Sequence, residues 1–375
     1  MAKGLYIGVD GKARKVKKIY TGINGKARKV KKGYIGIDGK ARLFFSGEKK
    51  LSYYGTATPL TTARKDLAAA SIGDYAIFHG GSNGNSIMDQ NIDIYNSSLV
   101  KATNSSSGVI SELAAASNSN YAIFGGGKNS SGKAQNSVRA INGDLTKTFT
   151  SFINSNGARY ALAATTINDY VLFGGGRNSS YKIGYVDAFS TDLTRSSLAR
   201  IVDRYDLAAT TIGNYALFGG GNNNGSLIIV EAFDTDLTKT TVTELNTSRD
   251  NLAATTIGNY ALFAGGNDGM TKTTVDAYDT NLTRFSPTAL SQGRDQFAAI
   301  TIGDYALFGG GFDNKKNSYY TEVYDTNLVK STTTALNVGR TNLAATTVGD
   351  YALFGGGYNG NYSGVVDVYQ VSELN

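Results

Sequence analysis

The chain has 375 residues and a formal charge of +7, with 46 Gly, 24 Tyr, 2 Pro and no cysteine. The lack of cysteine excludes disulfides, thiolate metal sites and thiol catalysis. No run of 18 apolar residues is present, so no membrane span is expected. Abundant Gly, with Asn, Ser and Thr crowding the connections, suits many short strands joined by tight turns, and no segment holds a helical period.

The chain opens MAKGLYIGVDGK, which lacks the apolar run of a secretory signal. The expectation is synthesis in the cytoplasm without a signal peptide, and a protein that is carried on a particle or released by lysis. Residues 1–47 form a separate basic module. Tyr6–Lys18, Tyr20–Lys32 and Tyr34–Ser46 are near copies at a 14-residue spacing. Asp10-Gly11, Asn24-Gly25 and Asp38-Gly39 are strong hairpin dipeptides, so three small β-hairpins are expected. Residues 1–46 carry 13 Lys and Arg against 2 Asp, a net of +11, and the rest of the chain has a net of −4. Such a module can dock on a larger particle, grip an anionic surface polymer or bind nucleic acid. Its regular lysines, with only Tyr6, Tyr20 and Tyr34 for stacking, make nucleic acid the least favoured partner. A plainly solvated basic face is the alternative to all three.

From residue 48 a second repeat takes over. Tyr75, Tyr121, Tyr170, Tyr215, Tyr260, Tyr305 and Tyr351 anchor seven copies separated by 46, 49, 45, 45, 45 and 46 residues. In one copy, Leu252–Ile257 reads as a strand, Gly258-Asn259 as a two-residue turn, and Tyr260–Phe263 as a second strand. Thr273–Asp279 alternates as a third strand, and Thr283–Leu290 is a weaker fourth. Four antiparallel strands per 45 residues is the period of a propeller blade, so the expected fold is all-β, a seven-bladed β-propeller over residues 48–375. The last copy stops after its third strand. The segment 50–60 precedes the first copy and can supply the missing strand, closing the ring and removing open edges.

The copies resemble kelch repeats. They share the glycines after the second strand (such as Gly219–Gly221 and Gly355–Gly357) and a third-strand aromatic (Tyr95, Phe189, Phe233, Tyr278, Tyr324, Tyr369). An Arg also precedes the first strand (Arg64, Arg159, Arg204, Arg249, Arg294, Arg340). Copy two has Ile141 and Ile110 at the last two positions, and the fourth-strand Trp usual in kelch units is absent. The basic hairpin module is similar to N-terminal segments of tail- and baseplate-associated proteins of phages that infect Gram-positive bacteria. That resemblance implies a particle-associated, receptor-recognising role.

Few residues stand out as chemistry. His79, the only histidine, replaces a repeat glycine, which argues for a structural place over a general base. The six arginines recur in nearly every copy, which argues for bonds to carbonyls or to an acid between blades rather than an anion site. Asp-rich turns such as Asp234–Leu237 lack the alternating ligands of a calcium loop and are read as turn formers. The glycine runs precede no helix and are not phosphate loops. No metal, no cofactor and no catalytic residue is therefore assigned. A glycan-active enzyme is the weaker alternative, because no acid–base pair departs from the repeat.

Variation concentrates in the loops between second and third strands, which should share one face with the connections between blades. There Phe312, Tyr319, Tyr320, Tyr358, Tyr362 and Tyr181 lie among Asn, Ser and Lys. Aromatics beside amides suit stacking on sugars or anchoring a protein. These six are the candidate ligand-binding residues. The expected function is non-catalytic recognition of a bacterial surface glycan or protein through this face, on a phage or prophage tail, with bacterial adhesion or host-protein binding as the alternative.

Overall fold

The computed structural model describes residues 49–373 except 85–90, 106–109 and 152–156, and, within residues 6–46, the backbone of six strands. Those six pair antiparallel as Tyr6–Val9 with Lys12–Lys15, Ile19–Ile23 with Lys26–Val30, and Lys32–Ile37 with Lys40–Ser46. One two-stranded sheet thus falls on each 14-residue copy. The expected turn dipeptides Asp10-Gly11, Asn24-Gly25 and Asp38-Gly39 lie outside the described residues.

From Lys49 onward the strands form seven four-stranded antiparallel sheets, the blades of a β-propeller. Blade five shows the pattern, with Ala253–Ile257, Tyr260–Ala264, Val275–Tyr278 and Arg284–Phe285 paired in chain order. Gly258 turns the first strand into the second at φ +54°, a conformation open to glycine at little cost. The expected fourth strand over Thr283–Leu290 is cut to Arg284–Phe285, and the fourth strands of blades three, four and six, which have no proline, are only three residues long as well. The chain rejoins the third-strand segment at Leu290, whose N–H donates to the Thr273 carbonyl at 2.8 Å.

The seventh blade is completed from the other end of the repeat array. Its order is Ala344–Val348, Tyr351–Gly355, Val366–Glu373 and then Lys49–Ala57. The closing strand stops at Ala57 rather than residue 60, two residues before Pro59. The Tyr53 hydroxyl donates to Asp367 at 2.7 Å within this blade. Each first strand packs against the first strands on either side, including Ala344–Val348 against Ala68–Ile72, so the ring of blades is continuous.

The core lies between blades. In six blades a second-strand Phe meets the third-strand aromatic edge-on, as Phe263 meets Tyr278, with ring centroids 5.8–6.1 Å apart. Phe308 and Tyr324 of blade six share one buried cluster with Ala253, Ile257 and Leu262 of blade five. Burying each such ring contributes on the order of 2 kcal/mol. The hydroxyls of Tyr95, Tyr278, Tyr324 and Tyr369 donate to the Thr58, Thr243, Thr288 and Thr334 carbonyls of the preceding blade. Burial raises the pKa of all four phenols, so they stay neutral donors.

Candidate functional site

The repeated arginines are fully buried. Each guanidinium meets the third-strand carboxylate of its own blade: Asp93, Asp187, Glu231, Asp276, Glu322 and Asp367 lie 2.5–3.0 Å from their arginines. Arg249 also donates to the second-strand carbonyl of Phe263 at 3.2 Å. Its own carbonyl accepts the N–H of Gly221 from the preceding blade at 3.0 Å. A Cβ on Gly220 would sit 2.6 Å from that carbonyl, which explains the invariant glycine. The arginines therefore bond carbonyls and an acid, but the acid lies inside the blade. It is the backbone, not the ion pair, that crosses to the neighbour.

Blade two inverts this arrangement. Ile110 stands at the arginine position and Arg139 at the carboxylate position. Arg139 donates through Nη1 to His79 Nε2 of blade one at 2.8 Å, and the imidazole stacks edge-on against Phe124. Burial, and after it the Arg139 charge, push the His79 pKa well below its ordinary value. A neutral His79 accepting from a guanidinium is a structural substitute for the missing carboxylate.

The Asp-rich turns are likewise committed to the backbone. Asp234 Oδ1 accepts the N–H groups of Asp236 and Thr238 at 3.0 and 2.8 Å, and Asp279 does the same for Asn281 and Thr283. Among the described residues no group of three or more metal-ligating side chains occurs.

Two residues after each arginine position the chain enters the left-handed region. Asp66, Glu112, Ala161, Asp206, Asn251, Gln296 and Asn342 all have φ between 52° and 57°. The N–H of each donates to the carbonyl of its counterpart in the preceding blade at 2.9–3.1 Å, and Asp66 donates to Asn342. The result is a closed ring of backbone hydrogen bonds, one per blade. Glu112, Ala161 and Gln296 adopt this conformation without the tolerance of Asn or Asp, at a cost of about 1 kcal/mol each. The ring geometry is thus constant while its side chains differ from blade to blade. They line a polar depression of about 390 Å³, with carboxylates at Asp66, Glu112 and Asp206 and amides at Asn251, Gln296 and Asn342.

Electrostatics in this depression are uneven. Burial raises the Asp206 pKa to about 7; Arg177 opposes that, and Asp250, Glu112 and Asp66 reinforce it. Glu112 pairs with Lys128, and Asp66 accepts from the Asn342 amide. Ala161 leaves a gap in the ring of polar groups between Glu112 and Asp206. The Arg177 guanidinium lies there, 5.1 Å from the Tyr160 ring and 4.3 Å from the Tyr205 ring.

The loops between second and third strands do share this face. The residue after each arginine position bridges to the first loop residue, as in Tyr160 with Arg177, Asp295 with Phe312 and Thr341 with Tyr358. Tyr319 and Tyr320 are 42% and 43% exposed with rings 4.8 Å apart. Tyr358 and Tyr362 stack edge-on at 5.3 Å, with Lys65 over Tyr358. The Tyr362 ring occupies the space a Cβ on Gly84 would need, 2.5 Å away, so this pair leans on blade one. Phe312 is half-buried and bridges Asp295 and Asn317. Tyr181 is 73% exposed on the blade-three loop. The six aromatics thus sit as two tyrosine pairs with Phe312 and Tyr181 beside other neighbours. Arg177 and the ring residues were not singled out from sequence. The ring position shows in the sequence only as a variable residue between a recurrent Arg and a recurrent Leu or Phe, which marks variation and not the left-handed conformation, and Arg177 has no such signal.

The geometry defines the class, a seven-bladed β-propeller of internally repeated sheets. No family model matches the chain, and no curated protein matches it.

Proposed function

We propose that the protein is a non-catalytic binding protein that recognises a bacterial surface glycan or protein through the face bearing the axial depression and the variable loops. One observation carries this reading. The backbone ring is constant in all seven blades while its side chains, and the loops beside them, are where the copies diverge. A rigid scaffold with variable surface loops is the usual way specificity is placed on a fold. The polar groups most suited to catalysis, His79 and the six buried arginines, are spent on structure. The kelch-like repeat pattern supports the propeller as an interaction module, and the basic N-terminal repeats support attachment to a phage or prophage tail.

The test is binding of the full chain to intact Gram-positive cells and to their purified surface polymers and proteins. Saturable binding without change in the partner supports the proposal. Turnover of a glycan, or no binding to any surface fraction, overturns it.

A further inference from the structure

A second depression, of about 500 Å³, opens between the loops of blades three and four. It shares Arg177 with the axial depression, and Tyr205 on its wall is followed directly by Asp206 of the ring. The two therefore adjoin at Arg177, which lies on the wall of both, and together they make up a groove lined from the axis, past the Arg177–Tyr205 stack, to the exposed Tyr181.

Its lining is specific in kind. Amides come from Asn178, Asn223 and Asn224, and Lys182 bonds the Asn224 side chain across the two loops. Arg177 is held between two rings, and its Nε is buried with no hydrogen-bond partner among the described residues. A buried Nε of this kind recurs in the structural Arg204, Arg249 and Arg294, so what Arg177 offers a ligand is the terminal Nη groups of a guanidinium oriented by stacking on the wall of both depressions. Formal charge nearly cancels along the groove. Lys65, Arg177 and Lys182 face Asp66, Glu112, Asp203 and Asp206, and Asp203 is already paired with Arg200. A polyanion would meet the carboxylates and a polycation the guanidinium. An uncharged chain of hydroxyls meets amides, carboxylates and a guanidinium that both donate and accept, with Tyr181 free to stack on a ring face.

We propose that this groove between blades three and four binds a neutral oligosaccharide, with Arg177 and Asp206 hydrogen-bonding hydroxyls and Tyr181 stacking on a sugar ring. The proposal rests on the reading of the face as a recognition surface and narrows it to one place and one ligand class.

The experiment measures binding of the full chain to a panel of uncharged hexose and N-acetylhexosamine oligomers, to an anionic teichoic-acid fragment and to whole cells. Tyr181→Ala, Arg177→Ala and Asp206→Asn are compared with Tyr320→Ala/Tyr358→Ala. Tyr181 is exposed and Asn tolerates the left-handed φ of Asp206, so Tyr181→Ala should melt like the parent and Asp206→Asn at least as high. The expected result is binding of one uncharged oligomer, insensitive to salt, weakened tenfold or more by each groove variant and little changed by the tyrosine pair. Loss of oligomer binding only in the tyrosine pair overturns the groove as the site and leaves the recognition function standing. Binding of cells but of no uncharged oligomer overturns the ligand class alone. Binding of nothing overturns both.

Discussion

A single residue type carries most of the electrostatic order. The Arg249–Asp276 pair is fully buried, and its geometry repeats in five other blades. Arg249→Ala leaves the buried Asp276 with only the half-exposed Arg284 and the Asn246 N–H to compensate it, and removes the Arg249 bond to the Phe263 carbonyl, which should cost about 1–3 kcal/mol. Denaturant melts check this, and a folded variant should still bind ligand; a normal melt with lost binding would show that the arginine serves the site instead. Asp206 makes a separate pH prediction. Its folded pKa, raised to about 7, lies above the unfolded value near 4. The folded state therefore holds a proton that the unfolded state has released, and stability falls as pH rises from about 4 to about 7. Asp206→Asn removes that loss. It should melt like the parent near pH 4 and higher than the parent at pH 8. Identical melting profiles across this range would count against the raised carboxyl.

At the scale of the blade, the second sheet is the informative one. Ile110 and Arg139 together replace the Arg–carboxylate pair, and His79 supplies an acceptor from the blade before. Changing one member alone should do harm. Arg139→Asp places a carboxylate where no arginine waits, and Ile110→Arg brings a second guanidinium beside the first. The double variant restores the pattern of the other blades. A double-mutant cycle read by thermal melts should give a favourable coupling of about 1–3 kcal/mol. Simple additivity would mean that the two positions do not communicate. The six turns between third and fourth strands teach a related lesson. Leu237 and Leu282 sit at φ 62° and 63°, where leucine is disfavoured, yet both pack on the core and their N–H groups donate to Asp234 and Asp279.

For the whole propeller the decisive contact is the closing strand. Lys49–Ala57 is the outer strand of the seventh blade, and none of the described strands before it belongs to a blade. Deleting residues 1–60 removes that strand, the Tyr53–Asp367 bond and buried Leu60. It should lower the melting temperature sharply and expose an open sheet edge, whereas deletion of residues 1–46 should leave melting nearly unchanged. Equal melting temperatures for the two truncations would refute closure by this strand.

Much of this architecture was legible in the sequence because it is periodic. The 45-residue spacing, the Gly258 turn and the alternation of Thr273–Asp279 each report local backbone preference, and local preference survives without tertiary information. The closing strand was legible for the same reason, as a missing fourth strand at one end and a spare at the other. The aromatic loop residues could be named but not arranged: the pairing of Tyr358 with Tyr362 over Gly84 depends on blades one and seven meeting. The axial ring was invisible because no short-range pattern marks a left-handed residue such as Ala161 or Gln296. Only the fold brings seven such residues, one from each blade, within hydrogen-bonding distance around a common axis. The groove at Arg177 has the same origin, since its walls come from loops about 40 residues apart in the chain and adjacent only once blades three and four pack side by side.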